Sequence, residues 1–162
     1  MDESLIGLGE LLASRKVAAL GTVHGGGPYV SMVPFALLED GSAFLIHVSA
    51  LSAHTQDMLT DPRVSLLITE AESAGTLPQA LARVTVLGSA SPIDEAAAEH
   101  ASAMARFLGR FPDSAPMFGF GDFSMFAIRP TALRWIGGFP AARSLTPEEF
   151  AALEAKALAM GF

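Results

Sequence analysis

The stretch His47-Val48-Ser49-Ala50-Leu51-Ser52-Ala53-His54-Thr55 gathers three hydroxyls and two imidazoles in nine residues. Its pattern reads as the end of a strand, a short polar turn and the start of a helix. A helix N-terminus carries unpaired backbone N–H groups and the positive end of a dipole, which suits phosphate. Ser49, Ser52 and Thr55 would add hydroxyl donors there, and His54 a proton-dependent one. The same residues also fit a plainer role, in which the serines only cap the helix and His54 is a surface residue.

Three further groups could join such a site. Arg83 interrupts an apolar strand, Leu81-Ala82-Arg83-Val84-Thr85-Val86-Leu87, and alternation places Arg83, Thr85 and Leu87 on one face. A permanently charged, forked side chain there is either a phosphate clamp or an edge arginine in water. Ser31, Met32, Val33 and Pro34 form a strand whose proline removes a ladder donor, so that end meets an edge, a bulge or a flat ligand. Trp135-Ile136-Gly137-Gly138-Phe139-Pro140, followed by Arg143, reads as a late loop. Its glycines would let a ligand approach the backbone, with Trp135 and Phe139 packing on a ring, or its aromatics simply anchor a turn.

Other chemistries are excluded. The chain has no cysteine, which removes disulfides, thiolate catalysis, zinc–thiolate sites and iron–sulfur clusters, and fits the cytoplasm. His24, His47, His54 and His100 show no metal-ligand spacing on one helix, so no metal site is expected. No Gly-Xaa-Ser-Xaa-Gly elbow occurs. No catalytic side chain stands out. A formal charge of −7 argues against nucleic-acid binding, because phosphate backbones need a positive field. No apolar run approaches the 18 or so residues of a membrane helix, and the acidic N-terminus does not resemble a signal peptide.

The elements that must position these residues form one domain over residues 1–162. The 51% hydrophobic content supplies a full core with some left for an interface. A helix is expected over residues 4–14, with Ser4 as a possible cap. Strands are expected at Val17–Val23, at about Tyr29–Leu37 and at Ala43–Val48, joined by tight turns at His24–Gly27 and Glu39–Ser42. After the helix ending at Asp61-Pro62, strands follow at Val64–Thr69 and Ala82–Ala90. Asp94 caps a helix to about Leu108, and 111–122 is a loop. The last strands are Phe123–Arg129 and Ala132–Ile136, either a pair or one strand bent at Pro130. Thr146-Pro147-Glu148-Glu149 is a capping box opening a helix over about 147–160, stopped by Gly161. Together these predict a mainly β (α+β) fold, an antiparallel barrel with peripheral helices.

The segments AALGTV, PYVSMVPFALLEDG, FLIHVSALSAHTQDMLTDPRVSLLI, ARVTVLGSA, FGDFSMFAIRPTALRWIGGF and ARSL, in this order, resemble the pyridoxamine 5'-phosphate oxidase-like FMN-binding split-barrel superfamily. The likeness covers about residues 10–145 and is nearest to the haem-utilisation branch typified by HugZ and HutZ. It implies a six-stranded Greek-key split β-barrel that forms a homodimer with FMN at the interface and acts as an oxidoreductase on a small molecule. By the same resemblance, Ser31–Pro34 lie along the flavin ring and Ser49 and Ser52 form the phosphate turn. His54 stands where the oxidases carry a phosphate-binding lysine, and Arg83 where they often carry glutamine. Trp135 and Arg143 match the tryptophan and arginine that close over the flavin from the partner subunit. Two departures follow. The arginine/histidine cluster that recognises pyridoxal phosphate is missing, so oxidation of pyridoxamine phosphate is not expected. No histidine follows His100, so the late axial ligand of the haem-degrading members is missing. Haem binding or degradation, or non-catalytic flavin carriage, stand as alternatives to the flavin oxidoreductase.

Overall fold

The computed structural model describes residues 3–159; Met160 and Gly161, the expected end and stop of the last helix, lie outside them. In chain order the elements are α1 (Glu3–Ser14), β1 (Val17–His24), β2 (Gly27–Pro34), β3 (Ala36–Leu37), β4 (Phe44–Ser49), α2 (Ala53–Thr60), β5 (Arg63–Thr69), β6 (Arg83–Pro92), α3 (Ala98–Arg110), β7 (Phe123–Ile136), β8 (Ala142–Leu145) and α4 (Pro147–Ala159). Short 3-10 turns occupy Pro78–Ala80 and Pro112–Gly119. No helix among the described residues is long and apolar enough to cross a membrane.

All strand pairs are antiparallel, in the order β2-β1-β5-β6-β7-β4-β3, with β8 on β7. The sheet curls until β2 approaches β4, which makes the split barrel expected. The two strands beyond six are the two-residue β3 and the four-residue β8. The β1–β2 hairpin pairs His24 with Gly27, so Gly25 and Gly26 alone make the turn. Both have positive φ, the conformation a two-residue hairpin demands.

Alternation builds the barrel interior. Ala18 and Leu20 of β1, Val64, Leu66 and Ile68 of β5, Val84 and Val86 of β6, and Phe126 and Ile128 of β7 join one buried cluster. β4 is buried on both faces. Phe44, Ile46 and Val48 point into the barrel, and Leu45 meets a second cluster with Ala103 and Phe107 of α3. α4 plugs the barrel with Phe150, fully buried and stacked on Phe44 at 5.6 Å between centroids. Its capping box forms as expected: the Thr146 N–H donates to Glu149 Oε2 at 2.8 Å, and the Glu149 N–H to Thr146 Oγ1 at 3.2 Å.

Four features differ from expectation, and one open choice is resolved. Ser4 lies within the span of α1, which begins at Glu3. β2 stops at Pro34, and after Phe35, whose N–H donates to Lys16 O, the chain turns to pair with β4 as β3. Asp94 precedes α3 by a turn, accepting from the Ala96 and Ala97 N–H groups, so its local side-chain bond builds the turn rather than the cap. The segment expected as a loop holds the 3-10 turn Pro112–Gly119. Of the two options at Pro130, the single bent strand holds. β7 continues through it because the register slips between Leu87 and Gly88, and Thr131 is left as an extra residue.

Candidate functional site

α2 lies against the β1–β2 hairpin and is tied to it by two polar clusters. In the first, Asp57 of α2 is buried. Its Oδ2 accepts from Thr22 Oγ1 at 2.8 Å, and its Oδ1 bonds His24 Nδ1 at 2.6 Å. Thr22 follows Ala18 and Leu20 on the inward face of β1, so its hydroxyl needs an internal partner. Burial pushes the Asp57 carboxyl up, but the bonds from Thr22 and His24 more than offset this and hold it below the ordinary carboxylate value. The His24 side chain remains 57% exposed and lies 5.2 Å from the Tyr29 ring. With Nδ1 facing a carboxylate, its Nε2 is the nitrogen left for an outside partner.

In the second cluster, Ser31 Oγ of β2 bonds His54 Nδ1 at 3.0 Å. Half-burial of His54 lowers its pKa, against the upward pull of Asp57, so the imidazole is neutral at pH 7. Ser31 and His54, expected in two separate parts of the site, therefore meet directly.

The β4–α2 turn is closed on itself. Ser49 is the last residue of β4 and donates to Asp122 Oδ2 at 2.6 Å. The Leu51 N–H donates to Ser49 Oγ, and the Ala50 N–H to the Asp122 carbonyl. Ser52 occupies the N-cap position, but its hydroxyl makes no capping bond. His47 faces the other side of β4, where it stacks on Phe118 at 3.9 Å with Phe107 and Phe123 around it. Burial lowers its pKa, and the nearby His100 lowers it further.

The remaining expected site residues do not assemble around this turn within one chain. Thr55 is buried, and its Oγ1 has no partner, so it is not a donor on the turn's surface. Val33 faces the core with Ser31 on its side of the strand, whereas Met32 and Pro34 face outward. Arg83 is on that outer face, but its guanidinium curls back onto the Gln79 and Leu81 carbonyls. It pairs with Ile136 at one end of β7, whereas Ser49 pairs with Phe123 at the other. Arg83 therefore does not clamp a ligand on this chain's own Ser49 turn. Trp135 is not in a loop. It pairs with Val84 and is buried in the barrel core, because alternation along β7 turns it inward. Its ring is unavailable to pack on a ligand. Phe139 is 86% exposed in the β7–β8 connection, and Arg143 is half-buried on β8 opposite Trp135.

Sequence reasoning missed Asp57 and Asp122. Asp57 could have been found from Thr22, a polar residue on an inward-facing strand position. Asp122 had no local signal, since its bond to Ser49 spans 73 residues.

The family model described as pyridoxamine 5'-phosphate oxidase matches residues 8–136. The chloroplastic non-canonical heme oxygenase HOZ of Arabidopsis thaliana is 38% identical over 114 residues, covering 70% of this chain and 33% of that protein. Among solved structures, a heme binding protein from Mycobacterium smegmatis superposes with a TM-score of 0.82 at 33% identity, covering 94% of this chain and 61% of that one. The heme storage protein HutZ of Vibrio cholerae superposes with a TM-score of 0.69 at 25% identity, covering 76% and 87%. The chain thus spans a third of the curated relative and less than two thirds of the mycobacterial protein. A match across most of an antiparallel barrel means that the chain belongs to the pyridoxamine 5'-phosphate oxidase family.

Proposed function

We propose that this chain is a haem-binding split-barrel protein that works as a homodimer, with His24 as the iron ligand. The observation that carries this reading is the pairing of His24 with buried Asp57. A carboxylate on Nδ1 orients an imidazole and raises its basicity, and it leaves Nε2 to the metal, the usual arrangement of a metal-bound histidine. The donor set therefore fits haem. The relatives named for haem lend the same support. Bound haem would supply an iron centre for electron or oxygen chemistry. The protein's own part is to hold the imidazole tautomer through Asp57 and Thr22 and to keep His54 neutral beside Ser31. Titration of the purified chain with hemin tests this by the growth of a Soret band. A hemin affinity and spectrum unchanged in His24→Ala would remove the ligand assignment.

The second reading is FMN binding, favoured by the family model and by the free Ser52 hydroxyl beside α2. The same titration with FMN separates the two.

The dimer reading rests on the outer face of β2, β1, β5 and β6. Val30 is 68% exposed, Met32 63%, Leu87 51%, Leu67 40% and Val17 39%. Their register places them on one face, where Gly21 leaves room for Ser65. An apolar face of this kind suits a second copy of the chain. Sedimentation of wild type and a Met32→Lys/Leu87→Lys double variant tests it: a dimer is expected for the first and a folded monomer for the second. Catalysis on a small molecule, action without nucleic acid or membrane, and a cytoplasmic setting belong to the same proposal.

A further inference from the structure

We propose that Asp122 is a resident carboxylate of the β4–α2 turn, and that it makes this chain discriminate against phosphate monoesters. The turn has the sequence of an anion site, with Ser49, Ser52 and a helix start. Its donors are already engaged. Ser49 Oγ donates to Asp122 Oδ2, the Ala50 N–H to Asp122 O, the Leu51 N–H to Ser49 Oγ, and the Ser52 N–H to Ser49 O. Among the described residues this leaves only the Ser52 hydroxyl and the Ala53 and His54 amides for an outside anion.

Charge works in the same direction. A phosphate monoester carries between one and two negative charges at pH 7. At the turn it would have to displace the Asp122 carboxylate from Ser49 or sit a few Å from it. A like charge at that distance lowers affinity by roughly tenfold or more, even with solvent screening. His54 does not compensate, because it is neutral at pH 7 and its Nδ1 is bonded to Ser31. Of the strand arginines, Arg129 on β7 is engaged by Glu99, Arg63 on β5 by Asp61, and Arg83 pairs at the far end of β7. Asp122 is held from both its side chain and its carbonyl, so the carboxylate is built into the turn rather than swinging through it. A ligand without a phosphate monoester at this point meets no such opposition. The inference goes beyond haem binding and does not depend on it.

The test compares FMN with riboflavin, which differ only in the phosphate, by flavin fluorescence on the full chain. Wild type is expected to bind FMN no more tightly than riboflavin. Asp122→Asn keeps the size and an acceptor for Ser49 but removes the charge. It should strengthen FMN binding about tenfold or more and leave riboflavin within about twofold. Asp122→Ala, which also frees the Ser49 hydroxyl, should gain at least as much. Wild type preferring FMN over riboflavin by tenfold would overturn the proposal. So would the failure of both variants to gain FMN affinity. The wild-type comparison needs no variant, so poor folding of a substitution leaves the proposal open to refutation.

Discussion

Replacing Thr22 by Val isolates the bond that anchors the His24–Asp57 pair. The two side chains have nearly the same shape, so no cavity opens, and only the 2.8 Å bond from Thr22 Oγ1 to Asp57 Oδ2 is lost. Hydrogen bonds to charged groups contribute about 1.5–3 kcal/mol. His24 still bonds the other oxygen, and its own exposure lets water reach the edge of the cluster, so a loss of about 1–2 kcal/mol is expected. A chain of this size unfolds with an entropy of roughly 0.3 kcal/mol/K, so the Tm should fall by about 3–6 °C. The sign with pH is fixed by the shift in Asp57. Its folded-state pKa is depressed below the ordinary carboxylate value, so the stabilisation is complete above that value and fades as pH falls below it. Chemical unfolding of wild type and Thr22→Val at pH 7 and pH 3 reads both effects. A variant as stable as wild type at pH 7, or a difference as large at pH 3, would show that the Thr22 bond does not hold the pair.

Three other outcomes follow from the same geometry. His47 and His54 both have folded-state pKa values depressed below 6.5, chiefly by burial, so the unfolded chain takes up protons first. Stability should be level above pH 6.5 and fall as pH drops through that value, and His47→Phe should flatten the decline measured by thermal melts. Gly88→Ala places a Cβ 2.8 Å from the Arg129 carbonyl at the β6–β7 bulge and should cost about 1–3 kcal/mol, whereas Gly109→Ala in α3 meets nothing and should gain roughly 0.5 kcal/mol. Phe150→Ala removes the fully buried plug of α4 and should cost about 3–5 kcal/mol in urea unfolding.

Much of the fold was legible because its signals are local. The paired glycines after His24, the alternation in β5 and β6, and the Thr146–Glu149 box each determine their own geometry. The site was legible only where its parts are close in space through one element. Ser31 and His54 meet because α2 lies on the β1–β2 hairpin. Arg83 and Ser49 both carried plausible chemistry, but which end of β7 each one meets is a property of sheet topology. Trp135 falls inside the expected strand Ala132–Ile136, but the glycines after it suggested a ligand-facing end, whereas alternation along β7 turns it inward. Thr55 shows the same limit on a helix, where spacing marked a hydroxyl but not the side it faces.

The most direct test of the account is hemin titration of the purified chain beside His24→Ala, followed in the Soret region. Stoichiometric binding in the micromolar range or tighter is expected, with a histidine-ligated spectrum that is lost or shifted in His24→Ala and perturbed in Asp57→Asn. A chain that takes up FMN but no hemin, or one whose haem spectrum is indifferent to His24, would contradict it.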